Sequence, residues 1–271
     1  MEKFRIVGLT VVFLLICAGV AFANDTCKSC HDGQEDRFVK NTHARLETSC
    51  VSCHGEAVKH QQDPSELDML DMKDPKSAEA VNAACMSCHA NNQRMMFWDG
   101  SEHDRADVSC TSCHSIHTVG TEKVSMDKCL SCHKDVRRDV NKFSHHPLAE
   151  GKMECASCHE VHGTLAPALI TADTNNELCY NCHTEKRGPF RFAHPPVEEN
   201  CLNCHSPHGT NAARLMTQNV RNTCGNCHQY AHKATLDTQV GGGGATAFVK
   251  RGSCLSCHGA IHGSNTDWHF R

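Results

Sequence analysis

The sequence predicts an elongated assembly of short α-helices and irregular loops, with little or no β-sheet and almost no side-chain core. Three observations predict it. Only 5% of the 271 residues are aromatic, too few to fill the single apolar interior that a domain of this length ordinarily builds. Twenty of the 21 cysteines fall in one pentapeptide, Cys-x-x-Cys-His, which occurs ten times. The copies also come in twos: their first cysteines pair off as Cys27/Cys50, Cys85/Cys110, Cys129/Cys155, Cys179/Cys201 and Cys224/Cys254. Such a repeat implies small units that bury only their neighbours' faces.

The pentapeptide says what fills the interior. Its two thiols can add to the vinyl groups of a haem, and the adjoining imidazole reaches the iron from one side. The attachment cysteines are Cys27, Cys30, Cys50, Cys53, Cys85, Cys88, Cys110, Cys113, Cys129, Cys132, Cys155, Cys158, Cys179, Cys182, Cys201, Cys204, Cys224, Cys227, Cys254 and Cys257. The proximal iron ligands are His31, His54, His89, His114, His133, His159, His183, His205, His228 and His258. Ten copies imply ten covalently bound haem c groups, with about 25 residues of chain to each. The fold class is therefore a multihaem cytochrome c, in which short helices and loops surround an elongated haem stack. Binding energy and folding energy are then one quantity. Zinc sites and disulfides also use paired cysteines, but neither demands a histidine directly after every second cysteine.

The N-terminus agrees. Lys3 and Arg5 precede an apolar run from Ile6 to Val20, and Ala21-Phe22-Ala23 supplies a small-residue cleavage site. Residues 1–23 read as a cleaved secretory signal peptide, shorter in its apolar part than the roughly 20 residues of a spanning helix. An uncleaved anchor is the alternative. Cys17 follows Ile16 rather than a small residue, so it belongs to the discarded peptide. Residues 24–271 then form the decahaem domain of five doubled units, outside the inner membrane.

Two stretches interrupt the repeat. Residues 55–84 are acidic with two Asp-Pro breaks, and residues 229–253 contain four consecutive glycines, 241–244, which suit no packed element. Both read as surface insertions, the first with a helix near its end. Docking of a partner is the alternative.

Twelve histidines lie outside the motifs, and each six-coordinate iron needs a second axial ligand, ordinarily imidazole or thioether. His43, His103 and His194 stand seven residues ahead of the second motif of a doublet, with His145 or His146 in the same role for the third. "HHPL" aligns with "HPPV" as His-x-Pro-apolar if His145 matches His194, which favours His145. His117, His162 and His208 follow a motif histidine in "CHSIH", "CHEVH" and "CHSPH", and His262 does so in "CHGAIH". His60 and His232 complete the distal set, leaving His269 and His146 as spares. Met95 and Met96 read as packing residues.

Iron held by histidine on both faces offers no open position, and histidine in place of methionine lowers its potential. The sequence thus describes a low-potential electron carrier. An enzyme would need one five-coordinate haem, for which an altered motif such as Cys-x-x-Cys-Lys would be the sign, and none occurs.

The pattern "H-x-P-V/L…C-x-x-C-H-x-P-H-G" at 194–209, and approximately at 145–163, resembles the doubled Cys-x-x-Cys-His cytochromes. With ten motifs behind a signal peptide, "CLSCHKDVRRDVNKFSHHPLAEGK", "CHTEKRGPFRFAHPPVEENC" and the closing "IHGSN", the chain resembles decahaem cytochromes of the Mtr/DmsE type. That resemblance implies an elongated periplasmic cytochrome associated with the outer membrane. It implies electrons taken from a periplasmic or inner-membrane cytochrome donor, a porin-type outer-membrane β-barrel around the protein, and an outer-surface multihaem or other redox partner. A freely diffusing periplasmic shuttle or storage cytochrome would carry the same haems, and a multihaem reductase is the third reading. The net charge of −4, made more acidic by haem propionates, argues against nucleic acid as a partner and for docking to a basic surface. The basic clusters at 134–142 and 185–192 read as propionate partners.

Overall fold

The structure, a computed structural model, describes residues 26–34, 36–46, 49–118, 124–228 and 253–271. The predicted signal peptide, His232 and the glycines 241–244 lie outside them. The chain divides into two compact units, Met1–Cys129 and Leu130–Arg271.

In the first unit, residues 26–34 are helical and carry the first motif. The second motif is itself the helix α1 (Cys50–His54), entered through Ser49, whose N–H donates to Ser52 Oγ at 3.2 Å. Then come α2 (Val58–Gln62), α3 (Ala78–His89) and α4 (Glu102–Arg105). Helix α3 buries Ala78, Val81 and Asn82, a spacing that places all three on one face. Trp98 is buried as well. The acidic insertion is therefore only partly a surface feature. Leu67 is 73% exposed, but Ala78 and Val81 are core residues, because the sequence ahead of Cys85 continues the helix that presents the motif. Met96 is likewise exposed rather than packed.

Helix α5 (Met126–Cys132) carries the fifth motif. The second unit continues with α6 (Lys134–Asp139), α7 (Asn175–Tyr180), α8 (Pro195–Glu199) and α9 (Val220–Gly225). Its buried apolar residues are Leu130, Val140, Leu169 and Ile170. Side chains alone form no larger core among the described residues.

A local rule runs through both units. The first motif of a doublet sits at the end of an α-helix, as with Cys85 in α3, Cys179 in α7 and Cys224 in α9. Thr174 and Asn219 cap the last two by accepting from Glu177 N and Asn222 N, the usual N-cap chemistry. The second motif of the last four doublets instead begins as a single tight turn, at Cys110–Ser112, Cys155–Ser157, Cys201–Asn203 and Cys254–Ser256, whereas that of the first is the helix α1. An extended residue precedes each: Ser109, Glu154, Asn200 and Ser253.

No strand occurs among the described residues. Isolated antiparallel bridges join Ser144 to Thr210, Phe192 to Ser264, His159 to Ile170 and His205 to Met216. The fold is the predicted one of short helices and loops without a sheet.

Candidate haem-binding sites

The twenty motif cysteines are free of disulfides. Among the described residues no three Cys, His, Asp or Glu side chains converge as a bound metal ion would require. The cysteines instead follow one another in chain order. The thiols of Cys85 and Cys110 share a hydrogen bond, as do those of Cys179 with Cys201 and Cys224 with Cys254. Cys53 lies beside Cys85, Cys158 beside Cys179, and Cys204 beside Cys227. Successive motifs are thus spatial neighbours within each unit.

The doublets are clamped by buried asparagines. Asn82, one turn ahead of Cys85, accepts from Cys110 N at 2.8 Å and donates to the Val108 carbonyl at 3.1 Å. Asn176, one turn ahead of Cys179, accepts from Cys201 N at 2.7 Å and donates to the Val197 and Glu198 carbonyls. In both doublets the helix of the first motif therefore fixes the start of the second. The sequence signal is Asn-x-x-Cys, which a search confined to Cys and His passes over.

Among the described residues, seven motif histidines face a histidine from elsewhere in the chain. His31 faces His60 with ring centroids 6.1 Å apart, His43 faces His89 at 6.0 Å, and His54 faces His117 at 6.0 Å. In the second unit His146 faces His183 at 6.3 Å, His159 faces His208 at 6.0 Å, His194 faces His228 at 6.2 Å, and His205 faces His262 at 6.1 Å. Two metal–imidazole bonds of about 2.0 Å on opposite sides of one ion set ring centroids about 6 Å apart. The rings stand where axial ligands of one iron would stand.

The pairings cross doublets. A histidine ahead of a second motif faces the first motif of the next doublet, as His43, His146 and His194 do. A histidine after a second motif faces the second motif of the preceding doublet, as His117, His208 and His262 do. His60 closes the first motif inside its own doublet. His103 lies in α4 and is half-buried, and His162 Nδ1 contacts Glu160 Oε1 at 3.0 Å.

The structure departs from the expected choice in "HHPL". His146 faces His183, whereas His145 turns to Glu150, with Nε2 and Oε1 3.0 Å apart. Ser144 and Phe192 are equivalent bridge residues, so His146-Pro147 matches His194-Pro195. The alignment on His-x-Pro is one residue out of register. His269 faces no motif ring among the described contacts; its carbonyl accepts from His258 Nδ1 at 2.6 Å.

Burial, and then the facing imidazole, hold His43, His117, His194 and His208 below the ordinary histidine range. For His262 burial comes first and Lys186 second. This favours the neutral ring, the form able to bind metal. His159 Nδ1 donates to the Ala168 carbonyl at 2.9 Å and His205 Nδ1 to that of Arg214 at 3.0 Å. Ala168 and Arg214 adopt left-handed backbone, at φ 56° and 61°, a strain of about 1–3 kcal/mol each that persists only where the surroundings impose it. The basic clusters are engaged locally: Lys142 Nζ and Asp139 Oδ1 are 2.8 Å apart, and Arg187 pairs with Glu177 at 3.1 Å.

Paired thiols without disulfides, opposed imidazoles and, among the described residues, only a small side-chain core fit covalent haem with two axial histidines. They define an electron-transfer protein that binds haem c through its Cys-x-x-Cys-His motifs. The family described as doubled CXXCH motif matches residues 145–188 and 194–233, and that described as cytochrome c-type protein NrfB-like matches residues 50–128. The chain is similar to the multiheme cytochrome MtrA of Shewanella baltica (strain OS185), with 41% identity over 89% of this chain and 78% of the relative. It is also similar to the cytochrome c-type protein NrfB of Escherichia coli O6:H1 (strain CFT073), with 32% identity over 42% of this chain and 68% of that protein. The chain belongs to the multihaem c-type cytochromes of the Mtr type. Among the described residues no helix is long and apolar enough to cross a membrane.

Proposed function

We propose that the chain carries ten haem c groups and passes electrons between a periplasmic or inner-membrane cytochrome donor and a redox partner on the outer surface, through a porin-type outer-membrane β-barrel. The seven facing histidine pairs carry this reading, because two axial imidazoles leave an iron no position for a substrate. The chain is then an electron carrier rather than an enzyme. All ten motif histidines serve as proximal ligands. His43, His60, His117, His146, His194, His208 and His262 serve as distal ones, with His103, His162 and His232 completing the set from their sequence steps. Residues 1–23 are removed on export, and residues 24–271 work in the periplasm at the outer membrane. The likeness to a multiheme cytochrome over most of both chains supports the electron-carrier reading.

The test is purification of the tagged cytochrome from detergent-extracted outer membrane. A β-barrel protein retained in stoichiometric amount is the expected result. Recovery of the holoprotein alone from the soluble periplasm would favour the diffusing shuttle instead. A high-spin ferric signal from the intact protein would point to an open haem and to enzymatic chemistry.

A further inference from the structure

The strained turns that follow two of the second motifs share one design. "GTLAPALIT" at 163–171 and "GTNAARLMT" at 209–217 each fold back on the motif ahead of them. Glu160 N donates to the Leu169 carbonyl and Ser206 N to that of Leu215, both at 2.8 Å, and Thr171 N and Thr217 N donate to the Cys158 and Cys204 carbonyls. The motif imidazole adds a third bond, from His159 Nδ1 to Ala168 and from His205 Nδ1 to Arg214. In the second turn Arg214 and Leu215 are both left-handed, at φ 61° and 57°, which side-chain-bearing residues sustain only where their surroundings impose it.

A side chain far off in sequence supplies that constraint. Leu215 N donates to Ser144 Oγ at 2.8 Å, across 71 residues. Ser144 is itself fixed, since its backbone exchanges two hydrogen bonds with Thr210. The Leu215 N–H and the Arg214 C=O belong to one planar peptide group. That group donates at one end to the serine hydroxyl and accepts at the other from His205 Nδ1, and the His205 ring faces His262 at 6.1 Å.

Hydrogen bonds in series polarise one another. A peptide whose N–H is engaged presents a stronger carbonyl acceptor, and an axial histidine whose outer N–H meets such an acceptor is the more basic ligand. A more basic imidazole favours ferric iron, and second-shell hydrogen bonding is one of the protein's means of setting a haem potential. We propose that Ser144 is a positioning residue for electron transfer: through the Arg214–Leu215 peptide it holds His205 and lowers the reduction potential of the His205–His262 site. This rests on the reading of facing histidines as axial pairs. Reduction of the site takes one electron from a neighbouring ferrous haem, which becomes ferric; no bond breaks and no proton leaves the ring. Ser144 stands two residues from His146, so one segment serves the His146–His183 site with a ring and the His205–His262 site with a hydroxyl.

The test is a stepwise reductive titration of the full holoprotein, with the paramagnetically shifted haem methyl resonances followed by NMR. His262→Ala and His208→Ala assign two haems, each by removing one set of low-spin resonances and adding a high-spin ferric signal. Ser144→Ala keeps the backbone bridge and loses the hydroxyl. It should raise the ferrous-to-ferric ratio of the His205–His262 haem about threefold at a fixed potential, about 30 mV for one electron and short of the roughly tenfold effect of removing a directly bonded outer partner. The haems should all stay low-spin, and the His159–His208 haem should keep its midpoint. Ser144→Thr, which retains the hydroxyl, should keep the original value. The proposal is overturned if Ser144→Ala leaves the His205–His262 midpoint in place, if it moves the His159–His208 haem equally, or if Ser144→Thr shifts the midpoint as far. No high-spin signal from His262→Ala would remove the axial reading and the proposal together; a high-spin signal there, with an unmoved midpoint in Ser144→Ala, removes the proposal alone.

Discussion

Ser144 and Thr210 exchange two backbone hydrogen bonds, Ser144 N to Thr210 O at 3.0 Å and Thr210 N to Ser144 O at 2.8 Å, and each stands two residues from a histidine facing a different motif. His146 follows Ser144 and faces His183, and His208 precedes Thr210 and faces His159. Phe192 and Ser264 repeat the device at 2.8 and 2.9 Å for His194 and His262. One small bridge thus positions two histidines that face neighbouring motifs.

The glycine after the facing histidine makes the bridge possible. Gly209 has φ +148°, and an added Cβ would overlap the Asp139 carbonyl; at Gly263, φ +143°, it would overlap the Phe190 ring. Overpacking of this kind costs about 1–3 kcal/mol. Gly209→Ala and Gly263→Ala should each lower the denaturation midpoint and add a high-spin ferric fraction by displacing His208 or His262. An unchanged low-spin spectrum in both would show that the bridge does not position these rings.

His145 and His146 separate cleanly by spectroscopy. His146→Ala should convert one haem in the holoprotein to the high-spin ferric form, and His145→Ala none. The reverse pattern would return the ligand to His145.

The asparagine clamps predict a structural cost. Asn82→Ala leaves the Cys110 N–H and the Val108 carbonyl without their partner, and Asn176→Ala does the same at Cys201 and Val197. Each loss should destabilise by about 1–3 kcal/mol, read as an earlier unfolding midpoint in guanidinium. Loss of less than about 0.5 kcal/mol, as at an ordinary surface site, would mean the thioether links alone hold the doublet.

The His145–Glu150 pair sets a pH window. The hydrogen bond that His145 donates to Glu150 raises His145 above its ordinary 6.5, and the same bond lowers Glu150 below its ordinary 4.5. The histidine's share of stability is full below 6.5 and is lost as pH rises through the raised value. The glutamate's share is present above 4.5 and is lost as pH falls through the depressed value. The pair therefore contributes most between these ordinary values, modestly, because both groups meet solvent. In the reduced, diamagnetic protein the His145 ring should titrate above 6.5 by NMR, and Glu150→Gln should bring it down; a midpoint unmoved by that change would dissolve the pair.

The motifs and the histidine surplus were legible because covalent attachment demands fixed residues at fixed spacing. So was the absence of a sheet among the described residues, since 5% aromatic content leaves a strand face little to bury. The pairing of rings was not. His43 lies seven residues ahead of Cys50, but it faces His89 in the next doublet, because local spacing places a side chain without naming what folds against it. His145 was favoured over His146 for a related reason: a His-x-Pro match in sequence cannot see that Ser144 and Phe192 occupy the same bridge position. Asn82 and Asn176 escaped notice because their role is to hold backbone rather than metal.

Because the ring facing His159 is that of His208, and the ring facing His205 is that of His262, a chain emerging N-terminus first cannot finish a site when its motif emerges. Each waits for a later stretch of polypeptide to arrive. A cut between His159 and His208 strips the upstream site of its second imidazole while leaving its own pentapeptide whole. On the proposed axial pairing, length is therefore not divisible: shortening the protein from its C-terminus would damage haem sites whose pentapeptides the remaining segment still carries.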